Sequence, residues 1–132
     1  MLNVYVRFAS CAGVALVVAA CTSSSTAPSS GSTDVTPVAG TTITITSSGA
    51  SPRNLLVSPG AQVTFVNNDS RAHTMNSDPH PEHTECAALN NVGFLNPGQS
   101  RQTGNLNVAR ACGYHDHELP STTSLQGTIT IR

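Results

Sequence analysis

The chain has 132 residues and a formal charge of -1 at pH 7, which allows one ordinary domain. All six of its cationic residues are arginines, scattered from Arg7 to Arg132. No basic stripe forms, so a nucleic-acid partner is excluded on charge.

Residues 1–20 read as a secretory signal peptide: Arg7 in the opening stretch, the apolar run "CAGVALVVAA", then Cys21. The run is too short for a bilayer-spanning helix, which needs about 20 apolar residues. The ending "VAAC" resembles the lipobox of bacterial lipoproteins. That resemblance implies a lipidated Cys21 as the first residue of the mature chain; the alternative is an ordinary signal peptide cleaved near Ala20. Thr22 after the cysteine implies, for a Gram-negative host, an outer-membrane anchor facing the periplasm. Residues 21–40 are rich in Ser, Thr and Pro with almost nothing to bury, and read as a flexible tether. The folded domain is thus expected over residues 41–132.

Cysteine arithmetic narrows the pairing. Cys11 leaves with the signal peptide and Cys21 goes to the lipid, so Cys86 and Cys112 remain in the domain. An even pair in a small domain of an oxidising compartment points toward a disulfide.

The domain reads as strands separated by turns, with no sustained helical period. "TTITITSS" alternates Thr with Ile43 and Ile45, as a strand with one buried face does. "NLLVSPGAQVTFVNND" is a strand, a Pro59-Gly60 turn and a strand carrying Val63 and Phe65. "GFLNPGQSRQTGNLNVARACGYH" repeats the device at Pro97-Gly98 and approaches Cys112. "LQGTITIR" closes with Ile129 and Ile131. Between Ser70 and Asn91 a polar, His- and Pro-containing stretch reads as a long loop, and such loops are usually functional or mobile. The expected class is all-β, a sandwich of two sheets.

All five histidines follow position 70: His73, His80 and His83 in the loop, His115 and His117 before the last strand. Five of the seven acidic residues, Asp78, Glu82, Glu85, Asp116 and Glu118, accompany them. Acids beside imidazoles lower the cost of holding a cation and raise ligand basicity. Two histidine groups on loops therefore point to a metal site.

"VSPGAQVTFVNNDSRAHTMNSD" resembles the central segment of a cupredoxin, and "NPGQSRQTGNLNVARACGYHDHELPSTTSLQGTITI" resembles its closing segment. The likeness spans nearly all of residues 41–132. It implies a Greek-key β-sandwich holding one copper ion at one end, with His73, Cys112 and His115 as the equatorial ligands of a blue site. Two imidazoles and a thiolate suit one-electron transfer. It further implies a redox protein, or a copper donor or acceptor, as partner in the cell envelope, and a monomer. Three departures leave alternatives open. Leu125 stands where the family usually has its axial Met. "YHDH" offers a thiolate-free set, His73, His115 and His117, helped by His80 or His83, which suits a non-blue Cu(II) module for delivery, buffering or tolerance. A Cys86–Cys112 disulfide would consume the thiolate and close a loop worth about 3 kcal/mol in chain-entropy terms. A metal-free sandwich for adhesion or assembly is the remaining reading. Enzyme motifs are missing: there is no Gly-x-Ser-x-Gly, His-Glu-x-x-His or P-loop, so no catalytic residue is expected.

Overall fold

The computed structural model describes residues 36–132. The expected signal peptide, the expected lipidation site Cys21 and most of the expected tether lie outside the described residues. Ten strands follow in chain order: β1 (Val38–Ala39), β2 (Thr42–Thr46), β3 (Gly49–Ser51), β4 (Asn54–Val57), β5 (Thr64–Asn67), β6 (His73–Ser77), β7 (Gly93–Leu95), β8 (Ser100–Gln102), β9 (Arg110–Asp116) and β10 (Gly127–Ile131). Two single-turn 3-10 helices, Leu89–Asn91 and Thr123–Leu125, complete the described regular structure.

The strands form two mixed sheets, a six-stranded one in the order β1-β4-β10-β9-β6-β7 and a four-stranded one in the order β3-β2-β5-β8. Ile43 and Ile45 of β2, with Phe65 of β5, meet Leu55, Met75, Tyr114 and Ile129 of the larger sheet in one buried cluster. The period-2 pattern read from the sequence thus turns its apolar face inward. Each such side chain gains about 1.5–3 kcal/mol on burial. At the centre the rings of Phe65 and Tyr114 meet edge-to-face at 5.3 Å, an arrangement their quadrupoles favour. The Tyr114 hydroxyl donates to the Arg53 carbonyl at 3.1 Å. That bond depends on Gly127, where a Cβ would strike both the Arg53 carbonyl and the Tyr114 ring.

Both Pro-Gly turns form as read. Ala61 N–H donates to the Ser58 carbonyl at 3.1 Å and Gln99 N–H to the Asn96 carbonyl at 3.0 Å. Gly60 and Gly98 have φ of 88° and 78°, the left-handed position that follows Pro in a type II turn.

Two boundaries differ from the sequence reading. Val38 and Ala39 pair in parallel with Leu55 and Leu56, so the folded unit starts inside the expected tether; both residues are exposed, and a chain-edge strand without a buried face leaves no hydrophobic pattern. The expected loop from Ser70 also begins later, because His73–Ser77 is a strand. It alternates buried and half-buried residues, but two of its three buried positions are His73 and Ser77. Polar residues on the inner face hid the alternation.

Candidate metal centre

β9 decides where every ligand candidate points. It stays extended from Arg110 through Asp116 and pairs with β6 as Met75 with Asp116, Asn76 with His115 and Ser77 with Tyr114. Successive side chains on a strand alternate faces. Tyr114 and Asp116 therefore share the inner face with Met75 and Ser77, and His115 projects from the opposite face. Cys112, three residues from His115, has the parity of Tyr114. In a tight loop a Cys-x-x-His step can present both atoms to one ion; on this strand it cannot.

Cys112 is also joined to Cys86 by a disulfide, with Cα atoms 5.8 Å apart. Its sulfur is not a thiolate. His73 is equally committed. Its Nδ1 lies 2.7 Å from Asp116 Oδ2 and its Nε2 3.1 Å from Asp69 Oδ2, with all three side chains at most 2% exposed. Each carboxylate is held in turn. Asp116 Oδ1 accepts the Thr74 and Glu118 N–H groups, and Asp69 Oδ1 accepts the Ser70 N–H at 2.7 Å. Burial works against the Asp69 carboxylate, but His73, the Ser70 N–H and Arg71 more than offset it and hold its pKa below the ordinary value. Buried Asn67 fixes the bend ahead of this group, donating to the Arg71 and Leu95 carbonyls and accepting the Asp69 N–H. With both ring nitrogens facing carboxylates, His73 offers no lone pair to a metal. The expected ligand set of His73, Cys112 and His115 is not assembled, and His73 is absent from the imidazole alternative too. Leu125, at the expected axial position, is a buried core side chain.

A different set converges. One ligand atom each from His80, His83, His115 and His117 lies within 4.8 Å of all the others. Ligands held at about 2.1 Å on one ion lie up to about 4.2 Å apart across it, so a spread of 4.8 Å has to close by about 0.6 Å for the four to share one ion. Ring centroids of His80 stand 5.7, 5.4 and 4.9 Å from those of His83, His115 and His117. His117 Nδ1 and His83 Nε2 are 3.2 Å apart. His80 is exposed, His83 and His117 are half-buried, and His115 is buried.

The buried ring is anchored by a carboxylate, and the His83 backbone is held on both sides. His115 Nδ1 donates to Asp78 Oδ1 at 2.6 Å, which fixes the tautomer and leaves the lone pair on Nε2. That Nε2 is buried without a hydrogen-bond partner, an expensive state for a polar atom unless something binds it. Asp78 reaches His115 only because Gly113 lies between; a Cβ there would collide with the Asp78 and Glu85 carboxylates. The Gly113 N–H donates to Glu85 Oε2 at 2.7 Å and its carbonyl accepts the Asp78 N–H at 3.1 Å, which binds the loop to β9. His83 sits at φ 52°, a left-handed position uncommon for a non-glycine residue. Its N–H donates to the Pro79 carbonyl and its own carbonyl accepts from Asn90 Nδ2, both at 2.8 Å. The peptide bonds Asp78–Pro79 and His80–Pro81, on either side of His80, are cis. Burial lowers the His83 pKa from its ordinary 6.5, with His115, His117 and His80 acting in the same direction and Glu82 against them. The ring is thereby kept neutral, as a metal ligand must be.

Sequence reading placed His115 and His117 at the site and offered His80 or His83 as helpers; the structure brings all four together. Asp78 as the partner of His115 was signalled only by the crowding of acids near the histidines.

No protein-family model matches the chain, and no curated protein sequence does. Among solved structures the chain is similar to a purple cupredoxin from Nitrosopumilus maritimus, with TM-score 0.57 and 23% identity over 70% of this chain and 100% of that one. It is also similar to the plastocyanin of Dryopteris crassirhizoma, with TM-score 0.54 and 17% identity over 69% and 99% of the two chains. A mutant amicyanin with Cu(I) gives TM-score 0.52 and 17% identity over 69% and 80%. At these identities the likeness defines the fold: the chain is a cupredoxin-like β-sandwich. It carries its histidine cluster at the end of β9, on the residue just after it and on the loop between β6 and β7.

Proposed function

We propose that the chain is a copper-binding protein that holds one Cu(II) through the imidazoles of His80, His83, His115 and His117. The observation that carries this reading is the buried, unpartnered Nε2 of His115, on a ring grouped with three further imidazoles whose ligand atoms lie within 4.8 Å of one another. The donor set fits a nitrogen-rich Cu(II) centre and does not fit the blue centre of two imidazoles and a thiolate. Bound there, copper would supply a reversible Lewis-acid and one-electron centre. Asp78 orients His115, Asn90 and the Pro79 carbonyl hold His83, and exposed His80 forms the edge through which metal enters and leaves.

An imidazole-only site open on one edge suits reversible holding of copper, for delivery, buffering or tolerance, better than rapid electron exchange through a thiolate. The partner is then a copper donor or acceptor. The lipobox-like "VAAC" and the Ser/Thr-rich stretch after it support a lipid anchor at Cys21 and a place in the bacterial envelope, on the periplasmic side of the outer membrane. The disulfide agrees with an oxidising compartment.

The test is a Cu(II) titration of the purified protein with a thiol count after unfolding. One equivalent bound, weak visible absorption and no thiol from Cys86 or Cys112 are expected. Intense blue colour with a reactive thiol consumed on loading would restore the thiolate site, and no copper retained after dialysis would end the metal reading.

A further inference from the structure

The Cys86–Cys112 disulfide ties the two halves of the imidazole cluster at matching offsets. Cys86 lies three residues after His83, and Cys112 three residues before His115. His80 and His83 belong to the loop after β6, His115 and His117 to the end of β9. Across this seam the loop is otherwise held by hydrogen bonds, Asp78 to Gly113 and His115, Gly113 to Glu85 and His83 to His117, and by the burial of Leu89 and Val92. The Asp78 side chain in that set is 47% exposed, so water competes for it. Among the described residues the disulfide is the one covalent link between the halves.

A surface cavity of about 230 Å³ reaches this bond, lined by both cysteines together with Ala87, Leu106, Val108 and Arg110. Val108 is 66% exposed, and Cys86 is the more accessible sulfur residue, 8% exposed against 1% for Cys112. Arg110 and Glu85 put one charge of each sign at the lining.

We propose that Cys86–Cys112 is a thiol-exchange site whose reactant is a dithiol and whose redox state sets metal occupancy of the imidazole cluster; the inference rests on the metal reading above. A thiolate of the reductant attacks Cys86 Sγ, on the less deeply buried of the two residues, forming a mixed disulfide and expelling Cys112 Sγ, which takes up a proton. The second thiol of the reductant attacks its own sulfur in the mixed disulfide, closing the reductant's disulfide and releasing Cys86 as a thiol. Two electrons and two protons pass from the dithiol to the protein. The loop then keeps its hydrogen bonds and the burial of Leu89 and Val92 further along it, while His80 and His83 lose the covalent tie at Cys86 and part of the effective concentration that held them against His115 and His117. The freed Cys112 thiol does not replace them, because strand parity aims it at the face opposite His115.

The probe is dithiothreitol. Metal-free purified protein is reduced, its thiols are capped with iodoacetamide, reagents are removed, and Cu(II) affinity is compared with protein exposed to iodoacetamide alone. Two caps by mass, an unchanged β-sheet circular dichroism signal and at least ten-fold weaker Cu(II) binding are expected. A Cys86→Ser/Cys112→Ser double variant, free of bulky caps, is expected to show the same loss. Ala87→Trp, at the cavity lining beside Cys86, is expected to slow the dithiothreitol reaction several-fold and leave Cu(II) affinity within two-fold. Unchanged affinity in either folded, disulfide-free form overturns the proposal. So does an intense thiolate-to-copper band in the reduced, uncapped protein. Loss of the sheet signal in both forms also overturns it, since the bond would then hold the whole sandwich rather than gate the loop. Failure of the untreated, oxidised protein to bind Cu(II) overturns the metal reading itself, and the gate with it.

Discussion

Replacing His73 by Ala separates a structural histidine from a ligand more sharply than any other single change. The ring is fully buried between Asp116 at 2.7 Å and Asp69 at 3.1 Å. Removing it leaves two buried carboxylates facing an emptied space with no ring nitrogen between them. Breaking a buried, charge-assisted network by deleting one partner costs about 3–5 kcal/mol, a large share of the roughly 5–15 kcal/mol that stabilises a small domain. With a urea m-value of about 1–3 kcal/mol/M, a loss of about 3 kcal/mol lowers the unfolding midpoint by about 1 M or more. Cu(II) affinity, measured by chelator competition below that midpoint, is expected to stay within about three-fold of wild type, because neither ring nitrogen of His73 faces the cluster. A His73→Ala protein that keeps its sheet signal and its urea midpoint yet binds no Cu(II) would refute this reasoning and place His73 among the ligands.

The cluster itself grades by burial. His115→Ala removes the buried Nε2 and is expected to weaken Cu(II) binding at least about 100-fold, or roughly 2.7 kcal/mol, whereas exposed His80→Ala is expected to cost about ten-fold by the same titration. Gly113→Ala pushes the Asp78 and Glu85 carboxylates off β9; losing the Asp78–His115 contact is expected to weaken binding about 10- to 100-fold, with His115 and its three companion rings intact. Lowering the pH should release the metal, since protons compete for the same lone pairs. In the metal-free protein the folded-state pKa of His83 lies below its unfolded value of 6.5, so between these two the unfolded chain binds more protons and stability falls as pH falls. A thermal midpoint that decreases from pH 7 into the range below 6.5, and decreases less in His83→Ala, is the expected result.

The folding pattern was largely written in local sequence. Thr–Ile alternation in β2 and β10 and Pro-Gly at two type II turns act through neighbours in the chain, and the two cysteines of the domain pair by count, 26 residues apart, so these signals are visible without tertiary contacts. His73 shows where this stops. Its identity and its position after the Asn-Asn-Asp bend suited a ligand, but its partner Asp116 is 43 residues away, and only the pairing of β6 with β9 brings that carboxylate onto its ring. The same pairing keeps β9 extended through Asp116. Extension aims His115 away from Cys112, whereas a loop beginning after Cys112 would have let both meet one ion. His80 and His83 were visible as histidines among acids, but their convergence depends on a loop held down at Gly113 and stapled by Cys86–Cys112. Sequence by itself determined that this chain makes a β-sandwich rich in imidazole near one sheet, because those signals are local. Which nitrogens share a site was decided by strand parity and long-range pairing, which residue spacing does not encode.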